Sequence, residues 1–190
     1  DQGDIPFGQA ALDIARRGIA DINAELRAPL PETIDIYIYD SQPNLKAAMI
    51  LTGRKWIGGQ AHPELGVVAI AVANEAGYES RMRRYIPHEL THLLLYQIVG
   101  AEGYRYVPEW LDEGLATANE QLPTPELTLT LEQAQGQEQL IPLQELCVPF
   151  SPDTETAYLS YAQSHSLVTY LRHQYGAQGI RDLLQAYANG

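Results

Sequence analysis

Apolar residues near the N-terminus recur at three- and four-residue steps. Leu12, Ala15, Ile19, Ile22 and Leu26 predict an amphipathic helix over 8–27, ended by Pro29 and Pro31. The period then changes to two. From Thr33 to Tyr39, Ile34, Ile36 and Ile38 share one face, with Asp35, Tyr37 and Tyr39 on the other, as in a half-buried strand. Ser41 and Pro43 open a short helix to about Leu51, closed by Thr52-Gly53. Segments 55–61 and 66–73 read as two strands, with His62-Pro63-Glu64 near the turn between them and His62 as a turn residue.

A longer helical pattern follows, with Leu90, Leu93, Leu94 and Ile98 on its buried side and Gly100 as its stop. Pro87 interrupts this pattern. Proline has no amide hydrogen and clashes with the carbonyl four residues back. The helix is therefore expected to begin near 83–86, or to be kinked there. Residues 101–107 form a turn, and Pro108 suits the first turn of a second helix. Residues 121–153 carry five prolines, Pro123, Pro125, Pro142, Pro149 and Pro152, and the polar run Glu132 to Gln139. An irregular excursion with a short helix near 142–147 is expected there. Thr154 can cap a helix to about Tyr175, closed by Gly176. A last helix from Ala177 to Tyr187 turns Ile180, Leu183, Leu184 and Tyr187 inward. No internal repeat or inter-domain linker is visible.

The chemistry sits on the interrupted helix. His88-Glu89-Leu90-Thr91-His92 is an H-E-x-x-H motif. Residues four apart project from one helical face, so His88 and His92 can offer two imidazoles to one ion. Imidazole nitrogen binds Zn²⁺ at about 2.0–2.1 Å, and a catalytic zinc keeps a position open for water. Glu89 lies beside that ion and can take a proton from the water. Two histidines leave a third protein ligand to be found, and a carboxylate is a standard choice. Pro108-Glu109-Trp110-Leu111-Asp112-Glu113-Gly114-Leu115-Ala116 supplies Glu113, with twenty residues between it and His92. Two helices joined by a short turn lie antiparallel and adjacent, which lets Glu113 reach the histidines.

H-E-L-T-H followed by W-L-D-E-G-L-A resembles the gluzincin metallopeptidases, specifically the compact peptidase MA-like domains. It is more distantly similar to the M1 aminopeptidases, which use H-E-x-x-H and then N-E-G-F-A. The resemblance covers roughly residues 30–190 and implies one zinc ion per chain. His88, His92 and Glu113 are then its ligands, and Glu89 is the catalytic carboxylate. The M1 group also carries a glutamate seven residues after the ligand glutamate. Glu120 has that offset from Glu113, and it could accept a hydrogen bond from a ligand imidazole or be an exposed helix-end charge. A tyrosine nine residues ahead of another aromatic steadies the oxyanion in that group. Tyr161 and Tyr170 have this spacing, with Tyr158 the competing candidate one turn earlier. The G-x-M-E-N segment by which the aminopeptidases read a free N-terminus has no counterpart. Gly58-Gly59-Gln60-Ala61 lies at a plausible distance without its carboxylate, so aminopeptidase specificity is not implied.

Composition narrows the rest. The 190 residues, 45% of them hydrophobic, suffice for one domain with a core. No apolar run approaches the roughly 18 residues of a membrane span. The net charge of −12, from 24 acidic and 12 basic residues, disfavours nucleic acid. It could favour cationic substrates, though surface acidity more commonly serves solubility. Arg81, Arg83 and Arg84 read as a solvated run, one of which could contact substrate carbonyls. The single cysteine, Cys147, excludes an internal disulfide and is a poor candidate ligand. A chain that begins with aspartate is read as trimmed or mature, with an extracytoplasmic location as the matching expectation.

The expected fold is α+β and zincin-like, as a single domain over 1–190. A mixed sheet and the zinc helix occupy 1–100, a mostly helical part 101–190, and zinc lies in the cleft between them. The resemblance also implies an edge strand above the cleft, at 55–61 or 66–73, that pairs with extended substrate. The expected activity is hydrolysis of peptide or protein substrates by Glu89-assisted attack of zinc-bound water, with Tyr161 donating to the oxyanion. The alternative is a catalytically degenerate zincin serving as a binding or structural domain of a larger surface protein.

Overall fold

The computed structural model describes residues 4–49, 58–122 and 124–190, the side chain of Met49 excepted. Its element order is α1 (Ile5–Leu26), β1 (Asp35–Tyr39), α2 (Gln42–Met49), β2 (Gly59–His62), β3 (Val67–Ala71), α3 (Tyr78–Tyr104), α4 (Glu109–Ala118), α5 (Pro125–Gly136) and α6 (Thr154–Asn189). Short 3-10 turns occupy Pro63–Leu65 and Glu145–Cys147. The fold is α+β, mostly helical, with one small mixed sheet in the order β1-β3-β2. β1 runs parallel to β3, pairing Asp35 with Val67 through Tyr39 with Ala71. β2 runs antiparallel to β3, pairing Gly59 with Ile70 and His62 with Val67. No helix among the described residues is long and apolar enough to cross a membrane.

The core gathers where α3 crosses the molecule. Leu90, Leu93, Leu94 and Leu95 are fully buried there, against Ile14 and Ile22 of α1, Val68 and Ile70 of β3, and Val168, Ile180 and Leu184 of α6. Each such side chain contributes roughly 1.5–3 kcal/mol when withdrawn from water, so α3 is anchored along its length. Of the expected stripe on α1, Ala15, Ile22 and Leu26 face inward and Ile19 is partly buried, and only Leu12 turns outward. Phe7, Ala11, Ile14, Ala15, Gly18, Ile22 and Leu26 are buried, whereas Leu12 is 44% exposed. Small residues on that face let α1 approach α3 closely: a Cβ on Gly18 would stand 3.4 Å from the Pro87 ring.

Three expectations need correction. First, α3 begins at Tyr78 and continues through Pro87 with helical backbone angles. The Arg83 carbonyl, deprived of the amide that residue 87 lacks, accepts instead from the Gln121 amide at 2.9 Å. A distant segment of chain thereby replaces the hydrogen bond whose loss is one part of what makes proline a helix breaker. Second, Gly100 breaks α3 at φ 72°, ψ 170°, but a further helical turn follows it to Tyr104. Gly176, in contrast, breaks α6 where the sequence places the stop, at φ 62°, ψ −173°. Such angles favour a residue without Cβ. Third, the excursion 121–153 contains a twelve-residue helix, α5. Pro125 stands at its first turn, where no intrahelical amide bond is required. The polar run from Glu132 lies along its exposed side, with only Leu127 and Ala134 of α5 buried. The shorter helix expected at 142–147 is the 3-10 turn Glu145–Cys147. Residues 50–57, which hold the Thr52-Gly53 stop and the start of the expected strand 55–61, lie outside the described residues.

Candidate metal centre

The helical period of α3 aligns His88 and His92, their ring centroids 5.1 Å apart and 72° between planes. Thr91, between them, donates its hydroxyl to the Pro87 carbonyl at 2.8 Å and accepts from Asn119 at 3.1 Å. α4 returns antiparallel after the Tyr104 turn and places Glu113 against both rings. Glu113 Oε2 lies 3.2 Å from His88 Nε2 and 3.7 Å from His92 Nε2. His88, His92 and Glu113 each offer one donor atom, all within 4.8 Å of one another, and together they could hold a metal ion. Gly114 explains how α4 seats so deeply. A Cβ there would fall 2.6 Å from the Ser164 carbonyl oxygen of α6.

Both outward ring nitrogens meet carboxylates. His88 Nδ1 lies 3.2 Å from Glu120 Oε1, and Thr124 donates its hydroxyl to Glu120 Oε2 at 3.3 Å. Glu120 stands just past the C-cap of α4, Asn119, and is tucked in rather than solvated, with 14% of its side chain exposed. His92 Nδ1 lies 2.5 Å from Asp112 Oδ1, and Tyr104 donates to Asp112 Oδ2 at 2.8 Å. Carboxylates on Nδ1 hold a proton there, so that each Nε2 becomes a ligand lone pair once the proton it shares with Glu113 is displaced. Asp112 and Tyr104 were not anticipated. A carboxylate directly before the candidate ligand, in the first turn of its helix, was the available signal for Asp112.

The electrostatics follow from burial and crowding. Burial works to lower the His88 pKa, but its hydrogen bonds to Glu113 and Glu120 win and hold it well above the ordinary value. His92 is likewise opposed by burial, yet the Asp112 charge and hydrogen bond push it up to about 9. Glu89 is 6% exposed. Burial raises its carboxyl pKa against the pull of the two imidazoles. Tyr104 is raised by burial and by Asp112, so its hydroxyl remains a donor.

A cavity of about 530 Å³ opens beside these groups and is lined by His88, Glu89, His92, Asp112, Glu113 and Glu120. Its other walls come from β2 and α5, with Tyr158 and Tyr161 of α6. β2 is an edge strand of the described sheet, whereas β3 is its centre. That removes 66–73 from the two candidates for an edge strand. β2 presses on α3: a Cβ on Gly59 would stand 2.7 Å from Glu89 Oε1, and one on Gly58 2.5 Å from the Tyr85 ring. Tyr161 packs edge-on against Phe150 at 5.3 Å, and its ring centroid is 6.4 Å from that of His88. Tyr158 is 45% exposed and lines the same cavity, while Tyr170 is 57% exposed and does not. His62 ends β2, with Nδ1 3.6 Å from Glu64, and also stands outside the cavity lining.

A family model described as the Peptidase MA superfamily matches residues 14–190. No curated protein and no solved structure matches the chain.

Proposed function

The chain belongs to the peptidase MA superfamily, and from that membership we propose that it is a zinc-dependent metallopeptidase. The observation that carries the reading is the convergence of His88 Nε2, His92 Nε2 and Glu113 Oε2 next to the buried Glu89. Two imidazoles and a carboxylate form a donor set that suits zinc with one position open. Zinc held there supplies Lewis acidity, polarising a carbonyl and making water a better nucleophile at neutral pH.

The remaining work belongs to side chains. Glu89 accepts the proton of the attacking water on its carboxylate and passes it to the leaving amine. A raised carboxyl pKa brings that exchange closer to working pH. Asp112 and Glu120 hold the imidazoles in register, since a ligand histidine is oriented by what its second nitrogen meets. Tyr161 donates its hydroxyl to the oxyanion that develops on the substrate. β2 offers its edge to an extended peptide, which gives main-chain affinity with little sequence selectivity. On this reading, residues 1–190 form one catalytic domain. The cleft then lies between α3 and α4 on one side and β2, α5 and α6 on the other.

Metal analysis and a general peptide-cleavage screen test it together. One zinc per chain is expected, with cleavage of a denatured protein substrate that a chelator stops. Glu89→Gln should keep the zinc and lose roughly 10²–10⁴-fold in turnover, whereas Glu113→Ala should lose the zinc. Zinc binding without cleavage by the wild-type protein would leave the non-catalytic zincin as the correct reading. No zinc binding, even after zinc addition, would overturn the metal centre itself.

A further inference from the structure

Three arginines open α3, and only one of them lines the cavity. Arg81 is engaged elsewhere: its Nη2 donates to the Ala73 carbonyl at 3.2 Å and to Glu75 at 3.3 Å. Arg83 does not line the cavity. Arg84 lines the cavity one helical turn before His88, half-buried, and among the described residues no other lysine or arginine does so. No described carboxylate pairs with it. The ion pairs nearby belong to Arg81, His88 and His92.

A cation without a counter-charge is tolerable while water reaches it. It becomes costly once a bound ligand excludes that water, unless the ligand brings the opposite charge. We infer that Arg84 is a specificity-determining residue that selects peptides carrying a carboxylate close to the cleaved bond. This rests on the peptidase reading of the cavity. The carboxylate is an aspartate or glutamate side chain or a free C-terminus, both of which match the guanidinium fork. Residues 84 and 88 are about 6 Å apart along the helix axis, the span of roughly two extended residues. The selected charge therefore lies within about two residues of the scissile bond. The net charge of −12 argues for cationic substrates instead, so the local and global fields make opposite predictions.

The test uses zinc-loaded protein and synthetic octapeptides that differ only by Glu or Gln at each position around the cleaved bond, each made as C-terminal acid and amide. A Glu-over-Gln preference in kcat/KM identifies a side-chain carboxylate, and an acid-over-amide preference a C-terminus. Roughly ten- to hundredfold is expected, the range of a charge-assisted contact. Arg84→Gln should collapse that ratio, Arg84→Lys should restore part of it, and Arg84→Glu should shift preference to peptides carrying lysine. The same peptides titrated calorimetrically into Glu89→Gln protein read the preference without turnover. Failure of hydrolysis is thereby separated from failure of charge selection. The inference is overturned if the charged and uncharged peptides perform alike, if none of them binds, or if the preference survives in Arg84→Gln.

Discussion

The two sides of the cavity are ordered in different ways. On the side made by α3 and α4, polar atoms are fastened to one another. Both ring nitrogens of His88 have carboxylate partners, His92 is held by Asp112, and Asp112 is held by Tyr104. On the side made by β2, α5 and α6, the lining is a strand edge, Thr124, Leu127 and two tyrosines. The first side is already held together by these contacts, which would suit a metal centre whose ligands keep one geometry. The second is shaped for contact with something else. Under the proposed function, the groups that would hold a metal and the base Glu89 stand on the first wall, and the contacts to substrate and oxyanion on the second, and variants on each wall should separate these roles.

After Glu89→Gln on the first wall, the largest effect that leaves metal in place should come from the second. Tyr161→Phe removes a hydroxyl and nothing else, so folding and zinc content should persist. Turnover should fall roughly 10²-fold, the low end for loss of one oxyanion donor. The loss should fall on kcat rather than KM, because the contact forms in the transition state. Tyr158→Phe should change little. A large defect in Tyr158→Phe with none in Tyr161→Phe would move the donor by one helical turn.

Gly59→Ala probes where the walls meet. The added methyl would stand 2.7 Å from Glu89 Oε1. The cheapest relief is for the flexible carboxylate to swing aside, which spares the fold and displaces the base. A tenfold to hundredfold loss of turnover is expected, with melting temperature and zinc content close to wild type. If stability fell and activity per folded molecule did not, the contact would be one of packing alone.

The contrast between the walls also explains what the sequence disclosed. His88, Glu89, His92 and Glu113 follow from helical period and a short connection, which are local properties. Gly100 and Gly176 were legible as helix stops for the same reason. Pro87 was not, because the group that rescues α3 is the Gln121 amide beyond α4. α5 was hidden because Pro125 reads equally as a breaker or a starter, and tertiary packing of Leu127 decides which. Leu12 was placed inward because two overlapping stripes share α1, and only the partner helix selects the one with Ala11 and Gly18. Asp112 needed a partner in space, His92, that spacing alone did not name.

On the metal-holding wall, Asp112→Asn should weaken zinc binding by roughly 10- to 100-fold, the usual consequence of removing a carboxylate behind a ligand histidine. Glu120→Gln should cost less, since its contact with His88 is longer at 3.2 Å, against 2.5 Å at His92. Competition with a chromogenic chelator measures both. An Asp112→Asn protein with wild-type affinity would show that Tyr104 and Asp112 orient nothing.

The smallest effect is one of pH, and its sign distinguishes the metal-free from the loaded wall. Without metal, His92 binds its proton up to about pH 9, and His88 is also raised. In the unfolded chain both titrate near 6.5. Stability from these protonated imidazoles is therefore fully present below about pH 6.5 and is lost as pH rises through about 9. Zinc requires neutral imidazoles, so its binding displaces those protons and strengthens across the same window. The melting temperature of the zinc-free protein should thus decline from pH 6.5 to 8.5 relative to that of the loaded protein. Each displaced proton is worth tenfold in affinity per pH unit, which in a chain of this size is a few degrees. Thermal scans at fixed free zinc across that range give the gap directly. A gap that stays constant or narrows would mean that the two imidazoles are already neutral in the empty site. The carboxylates on Nδ1 would then act only as hydrogen-bond acceptors, and not as counter-charges.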